Sequence, residues 1–477
     1  MNRSSAILPL TAVLVMTVLA GCAPSIVPQQ KEIAGDSIGL SNVPAPAIAD
    51  KWWEAFGDRE LDRLVDQALA GSPALGEALA RLRAAKAGVE SANASLFPRV
   101  DFNGQEQRTR FSETYIIPPP FGGTFQWIGT IEGDLSWEID FWGKQAAELA
   151  KAGALRGAAQ MDIEAARLAI TGAVVQAYIQ LDSACKLADI AAQTARERGD
   201  SLTLTKQRVR DGLDSQVEEQ EAEALLAQAS ELKIRADSER DIVVHELAAL
   251  AGRGADVYPA ISRPALNLNA SLPLPESLPA DLLARRPDMI AARLRVDAAL
   301  EGRKAAAAAF YPNVDLLASA GWASIGLSPL FTAHSAQYGA GPAVHLPLFD
   351  AGTLRAQYAG ATAEIDSAVA DYNGALTNAV RETADALTRV HALEGQLAMH
   401  RENLEAAEKG YRLAETRYRT GLTNQLTVLN AQNVLYDART GDVSLRAEQA
   451  VQHVTLLLAA GGGFDAPRAA AIRASSP

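Results

Sequence analysis

Two textures of hydrophobic and polar positions run along the chain, and each occurs twice. The first has a period of two. In Phe125 to Asp140, the residues Phe125, Trp127, Gly129, Ile131, Gly133, Leu135, Trp137 and Ile139 alternate with Gln126, Ile128, Thr130, Glu132, Asp134, Ser136, Glu138 and Asp140; Ile128 is the exception. Further on, Pro312, Val314, Leu316, Ala318, Ala320 and Trp322 share one face. Ala336, Tyr338, Ala340, Pro342, Val344, Leu346 and Leu348 share another, and the polar partners include Asn313, Asp315, Ser319, Ser335, Gln337 and His345. This alternation predicts strands around 99–109, 125–139, 312–323 and 335–348, each with one apolar face.

The second texture is helical. Proline is absent from Phe121 to Tyr258 and again from Leu348 to Ala466. Proline breaks helix interiors, so each stretch reads as a long helix, a glycine turn and a helix running back. From Gly143 to Arg210 such a helix would reach about 100 Å at 1.5 Å per residue. A tube or a spanning coiled coil needs that length; a globular core does not. Upstream, Leu61, Leu64, Val65, Ala68 and Leu69 form a one-sided stripe in a helix expected to start within Asp50 to Leu69.

The two textures belong to a duplication. Arg208-Val209-Arg210-Asp211-Gly212-Leu213-Asp214-Ser215-Gln216 returns as Arg417-Tyr418-Arg419-Thr420-Gly421-Leu422-Thr423-Asn424-Gln425, an offset of 209. Upstream the offset is 214, where Leu96-Phe97-Pro98-Arg99-Val100-Asp101 matches Phe310-Tyr311-Pro312-Asn313-Val314-Asp315. A period this long means two copies of one structural unit rather than a solenoid.

The expected organisation is a signal peptide over 1–21 and a lipid-anchored tether over 22–58. A first unit over 59–251 has its β-hairpin at about 99–139 and its helical tip near 212. A Pro- and Gly-rich connector over 252–286 wraps the outside, with short helices or strands. A second unit over 287–461 has its β-hairpin at about 312–348 and its tip near 421, and a tail covers 462–477.

The N-terminus sets the compartment. Arg3 and the apolar stretch Ala6 to Ala20 read as a signal peptide, too short for a comfortable span. Leu19-Ala20-Gly21-Cys22 resembles a bacterial lipoprotein box, which implies that Cys22 is lipidated. Ala23 after it fits sorting to the outer membrane of a Gram-negative cell. The other cysteine, Cys185, sits among apolar neighbours as a buried small hydrophobe.

With that leader and no transmembrane helix, the alternating segments read as transmembrane β-strands. A soluble sandwich with one wet face would carry the same alternation. Four strands cannot close a membrane barrel, so the chain must oligomerise: three copies would give twelve strands and two would give eight.

Bulk chemistry narrows the function. The net charge is −13, against nucleic-acid binding. The six histidines are scattered, and no HExxH, paired-cysteine or phosphate-loop motif occurs. No catalytic or metal site and no cofactor is expected, beyond covalent lipid on Cys22.

Trp52-Trp53-Glu54-Ala55-Phe56-Gly57-Asp58, with Leu61 and Leu64-Val65, resembles the N-terminal signature of NodT-type outer-membrane efflux lipoproteins of the TolC/OprM-like outer membrane factor family. Arg285-Arg286-Pro287-Asp288, Pro347-Leu348-Phe349-Asp350-Ala351-Gly352 with Arg355, and Tyr418-Arg419-Thr420-Gly421-Leu422 through Leu429-Asn430-Ala431-Gln432 resemble further motifs of that family, in the same order.

The resemblance implies a mainly α protein with a membrane β portion. Its homotrimer would form a 12-strand barrel in outer-membrane lipid and a 12-helix periplasmic tunnel. The partners implied are a periplasmic adaptor and an inner-membrane pump, most simply of the RND type, and the cargo small molecules. A type I protein-secretion duct shares the architecture, and a heavy-metal efflux channel and a periplasm-spanning structural lipoprotein are further readings. At the tip, Leu426 and Asn430 would line the closed pore, with Val217 and Glu221 as their repeat equivalents. Asn430 departs from the aspartate common in OprM-like members, so an acidic ring would move to Glu221 or be absent. Arg208, Gly212, Leu213, Arg417, Gly421 and Leu422 are the adaptor-docking candidates; cationic residues near helix C-termini also stabilise the dipole.

Overall fold

In a computed structural model of the chain, residues 26–33, 39, 48–114, 116–117, 119–268, 270, 272–275 and 285–464 are described. The signal segment, Cys22 and residues 465–477 lie outside them. One series of elements appears twice, with one helix fewer ahead of the second pair of strands among the described residues. First come helices α1 (Arg59–Gly71) and α2 (Pro73–Ala94), strands β1 (Arg99–Arg110) and β2 (Phe125–Ile139), and helices α3 (Lys144–Arg210) and α4 (Gln216–Leu250). The second copy is α5 (Pro287–Ala308), β3 (Asn313–Ile325), β4 (Ala336–His345), α6 (Thr353–Arg419) and α7 (Gln425–Ala459). Helices α3 and α6 are both 67 residues long, and α4 and α7 both 35.

The helix expected to start within Asp50 to Leu69 begins at Arg59, after a separate short turn. Trp52–Phe56 forms a 3-10 turn, Gly57 turns left-handed at φ 71°, and the Asp58 side chain accepts from the Glu60 amide to start α1. Glycine takes that φ without a Cβ penalty, and aspartate satisfies a free amide of the new helix. The other Asp58 oxygen accepts from the Tyr178 hydroxyl at 2.9 Å and from the Ala265 amide at 2.7 Å. One carboxylate therefore ties α1, the middle of α3 and the connector together. Burial, and then Asp58 itself, push the Tyr178 hydroxyl well above its ordinary pKa.

Around that joint lies the largest apolar core. Trp52 and Trp53 meet edge to face at 5.9 Å. With Phe56, Leu61 and Leu64 they pack against Val175, Ile179 and Leu181 of α3, Leu247 of α4 and Val454 and Leu457 of α7. Ile261, Leu266, Leu268, Leu272 and Leu274 of the connector cover it from outside, after a 3-10 turn at Ala255–Ala260.

The four strands form one antiparallel sheet in the order β1-β2-β3-β4, so β1 and β4 are its edges. Pairings such as Trp137 with Leu316 and Ile131 with Trp322 put the apolar positions of neighbouring strands on one face. Val100, Phe102, Trp127, Trp137, Trp322, Tyr338 and Val344 stand exposed there. The other face carries Asn103, Gln105, Glu132, Asp134, Ser319 and Gln337; Asn103 donates to Asp134 and Gln337 to Glu132. Ile128, out of place in the alternation, pairs with Ile325 on this polar face.

Strand β4 ends at His345, not 348, so Leu346 and Leu348 leave its apolar face. Pro347 has no amide to donate, and the chain turns at Ala351 (φ 55°) and Gly352 (φ 90°). Asp350 accepts from the Gly352 and Leu354 amides as α6 begins. Along α5 and α6 runs the tether: the amides of Gln29 and Gln30 donate to Asp366, and that of Ile33 to Asn373. Among the described residues no helix is long and apolar enough to cross a membrane.

Candidate functional site

Both long helices end in the same backbone motif. At the first tip Gly212 takes φ 73°, the Leu213 amide donates to the Arg208 carbonyl, and the Gly212 amide to that of Val209. At the second, Gly421 takes φ 75°, Leu422 donates to Arg417, and Gly421 to Tyr418. These paired bonds make a Schellman cap, which needs a left-handed residue at its centre and so selects glycine. Ser215 then opens α4 through a capping box with Glu218, and Asn424 opens α7 by accepting from the Thr427 amide.

The side chains at the tips differ. Arg208 donates two hydrogen bonds to Asp214, at 2.8 and 3.1 Å. The Tyr418 hydroxyl, from the other hairpin, donates to the same carboxylate at 2.9 Å. The Arg208 guanidinium also lies 4.7 Å from the centre of the Tyr418 ring. Three side chains thus tie the first tip to the second. The Arg208 hydrogen bonds hold the Asp214 carboxyl below the usual carboxylate range, and burial pushes the Tyr418 hydroxyl up.

Above this tie several polar side chains are buried. Gln425 and Gln432, one heptad apart on α7, are 2% and 4% exposed. Neither amide end of Gln425 has a partner, nor does the Gln432 carbonyl oxygen. Arg198 of α3, also buried, donates to Asn433 at 2.6 Å and leaves its other terminal nitrogen unpaired. Burial lowers its pKa from the ordinary arginine value. Helices α6 and α7 meet through Ala407, Leu435 and Ala438, and lower down through Ala414, Tyr418 and Val428, where Leu204 of α3 also packs; the Gln432 amide nitrogen donates to the Tyr411 hydroxyl of α6 at 3.4 Å. Unpaired buried polar groups cost free energy that apolar contacts do not.

Of the residues singled out in the sequence, Val217, Glu221, Leu426 and Asn430 are all exposed on the single chain, at the starts of α4 and α7. Gly212, Leu213, Arg417, Gly421 and Leu422 are exposed as well. Arg208 is turned inward to Asp214 and Tyr418. Sequence reasoning missed Asp214, Arg198, Gln425 and Gln432. A signal for Asp214 existed, because its repeat equivalent is the uncharged Thr423. Among the described residues no group of three or more metal-ligating side chains occurs.

Two exposed tips, a core around the middle of the long helices, and an open sheet with one apolar face together define a membrane-anchored conduit. Residues 64–253 and 278–462 match the model of the outer membrane efflux protein family, and the chain belongs to that family. It is thus an efflux protein of the outer membrane. The fusaric acid resistance protein FusA of Burkholderia cepacia is 35% identical over 371 residues, 75% of this chain and 70% of the relative. The multidrug resistance outer membrane protein MdtP of Escherichia coli K12 is 29% identical over 94% of this chain and 95% of its own. The crystal structure of the outer membrane protein VceC from Vibrio cholerae, 30% identical, superposes with a TM-score of 0.80 over 88% of this chain and all of that one.

Proposed function

We propose that three copies of this chain close one barrel in the outer membrane, and that the trimer exports small molecules passively. The observation that carries this reading is the sheet: four strands, one apolar face and two unpaired edges. Bare edges in lipid would strand backbone groups, so β1 of one copy pairs with β4 of the next. Twelve strands and twelve long helices follow from three copies. The polar inner face suits an aqueous path, and a periplasmic adaptor and an RND-type inner-membrane pump supply cargo and energy. The chain itself catalyses nothing.

The tips are the resting gate in this reading. Leu426 and Val217 form apolar rings at the narrowest point, with Asn430 and Glu221 one helical turn on. Gly212, Leu213, Arg417, Gly421 and Leu422 present the docking surface for the adaptor, and Arg208 supports it from behind through Asp214. Opening separates the two hairpins and breaks the tie at Tyr418. Cys22 carries lipid that adds anchorage to the outer membrane. Undiminished palmitate labelling of a Cys22→Ser protein would refute that assignment.

The decisive measurement is the mass of the detergent-solubilised protein, corrected for bound detergent. A particle of three protomers is expected. A monomer would mean that the strands close no shared barrel, leaving the spacer lipoprotein as the reading.

A further inference from the structure

The outward face of β1 changes character along its length. Val100 and Phe102 are apolar and exposed near its lower end. On the same face higher up stand Glu106, Arg108 and Arg110, since alternate residues share a face. In register, Arg108 pairs with Trp127 and Arg110 with Phe125 of β2. At about 3.3 Å per residue and a strand tilt near 40°, Arg108 lies about 23 Å above Arg99. The apolar band of such barrels is about 25 Å tall. With the lower edge of that band at Arg99, Arg108 would sit where the outer-leaflet hydrocarbon ends and headgroups begin.

Beside these arginines lies an apolar shelf. The loop after β3 folds back over the outside of the sheet, where the Leu330 side chain is buried against Gly129. A Cβ at Gly129 would approach Leu330 to 3.1 Å, so glycine leaves the room that the loop uses. Phe331, 72% exposed, extends the shelf towards Trp322, with ring centres 6.3 Å apart. The guanidinium of Arg108 lies 5.7 Å from the Phe125 ring centre and forms no ion pair among the described residues. Arg110 meets Glu113 at 3.3 Å, with both side chains more than half exposed. An exposed pair of that kind contributes little and yields to a stronger anion. Glu106, below Arg108, makes no ion pair with it and would repel an anion placed lower.

We infer that this surface binds a phosphorylated glycolipid of the outer leaflet. Its phosphate meets Arg108 and Arg110, and its acyl chains lie on Trp127, Leu330 and Phe331. Arginine matches phosphate through paired donors, and a cation above an apolar shelf fits an amphiphile with an anionic head. The inference rests on the outer-membrane barrel, and its test separates the two. The full-length protein in zwitterionic detergent is first checked for its trimer mass; failure there concerns the barrel, before any lipid is added. It is then titrated with diphosphorylated lipid A or its dephosphorylated form, and bound lipid is counted by native mass spectrometry. The diphosphorylated form should bind about tenfold more tightly, a preference typical of charge-assisted contacts. The Arg108→Gln, Arg110→Gln protein should lose that preference with its trimer intact. Equal binding of both lipids, or a preference that survives in the variant, would overturn the proposal. So would complete displacement by millimolar inorganic phosphate, which would mark a simple anion site. Should the double variant not assemble, Arg108→Gln alone, at an exposed position, is read by the same criteria.

Discussion

At the first tip Arg208 closes on Asp214; at the second the equivalent residues, Arg417 and Thr423, form no ion pair. Both tips have the same cap, the same glycine and helices of equal length. Duplication preserved the backbone, and the side chains then diverged. One tip became an anchor that also receives Tyr418 from its neighbour. The other kept its arginine free at the surface. In the proposed gate the first tip would be the holding side and the second the presenting side, and adaptor contact there would act on the tie through Tyr418, three residues before Gly421.

The largest effect should come from removing the anchor. Asp214→Ala deletes the acceptor for both Arg208 and Tyr418, bonds worth about 2 kcal/mol in such a setting, or roughly thirtyfold in the closed-to-open balance. Planar-bilayer recordings should show frequent full openings, and cells should become sensitive to vancomycin; unchanged recordings would remove the tie from the gate. Next comes the apolar ring. Leu426→Ala with Val217→Ala should widen the resting pore and raise vancomycin entry by several-fold, with a smaller rise in open events than Asp214→Ala, and wild-type permeability would show that Leu426 is helix packing only. A gentler test equalises the tips. Thr423→Asp offers Arg417 its own partner, and an exposed pair of about 0.5 kcal/mol should lower resting leak roughly twofold. An increase in leak would contradict the proposed asymmetry.

The smallest change is expected with pH. The Asp214 pKa is depressed in the folded tip. Its contribution is therefore complete above the ordinary carboxylate value and is lost as pH falls through the lower, folded one. Conductance should stay flat from pH 8 to 5 and rise only below about pH 4. Opening between pH 6 and 5 would point to a different group.

Much of this fold could be read in the sequence because its elements are long and its periods clean. The alternation from Phe125 to Ile139 survives as a strand with the same bounds, and each proline-free stretch holds the expected pair of long helices joined at a glycine turn. An error fell at single-residue punctuation, where Pro347 ends a strand early. The tie was hidden for another reason. Asp214 and Tyr418 are 204 residues apart, and only the side-by-side packing of two hairpins brings them together. Arg198 reads as one more charge on a polar helix; its burial depends on α7 lying across it. The gate candidates stay exposed on one chain because a ring of three copies is what would enclose them.

The joint at Asp58 has a mechanical consequence. Tyr178, held there by its hydroxyl, is 32 residues from Arg210 along one unbroken helix, a lever of about 48 Å at 1.5 Å per residue. A rotation of 5° about that joint would carry the tip about 4 Å, more than the 2.9 Å that separates Tyr418 from Asp214. The long helices act as a gear. A sub-ångström adjustment among Trp52, Trp53 and Phe56 at the fulcrum would be enough to part side chains far away, and a small force at the tip would return as a large one on the core.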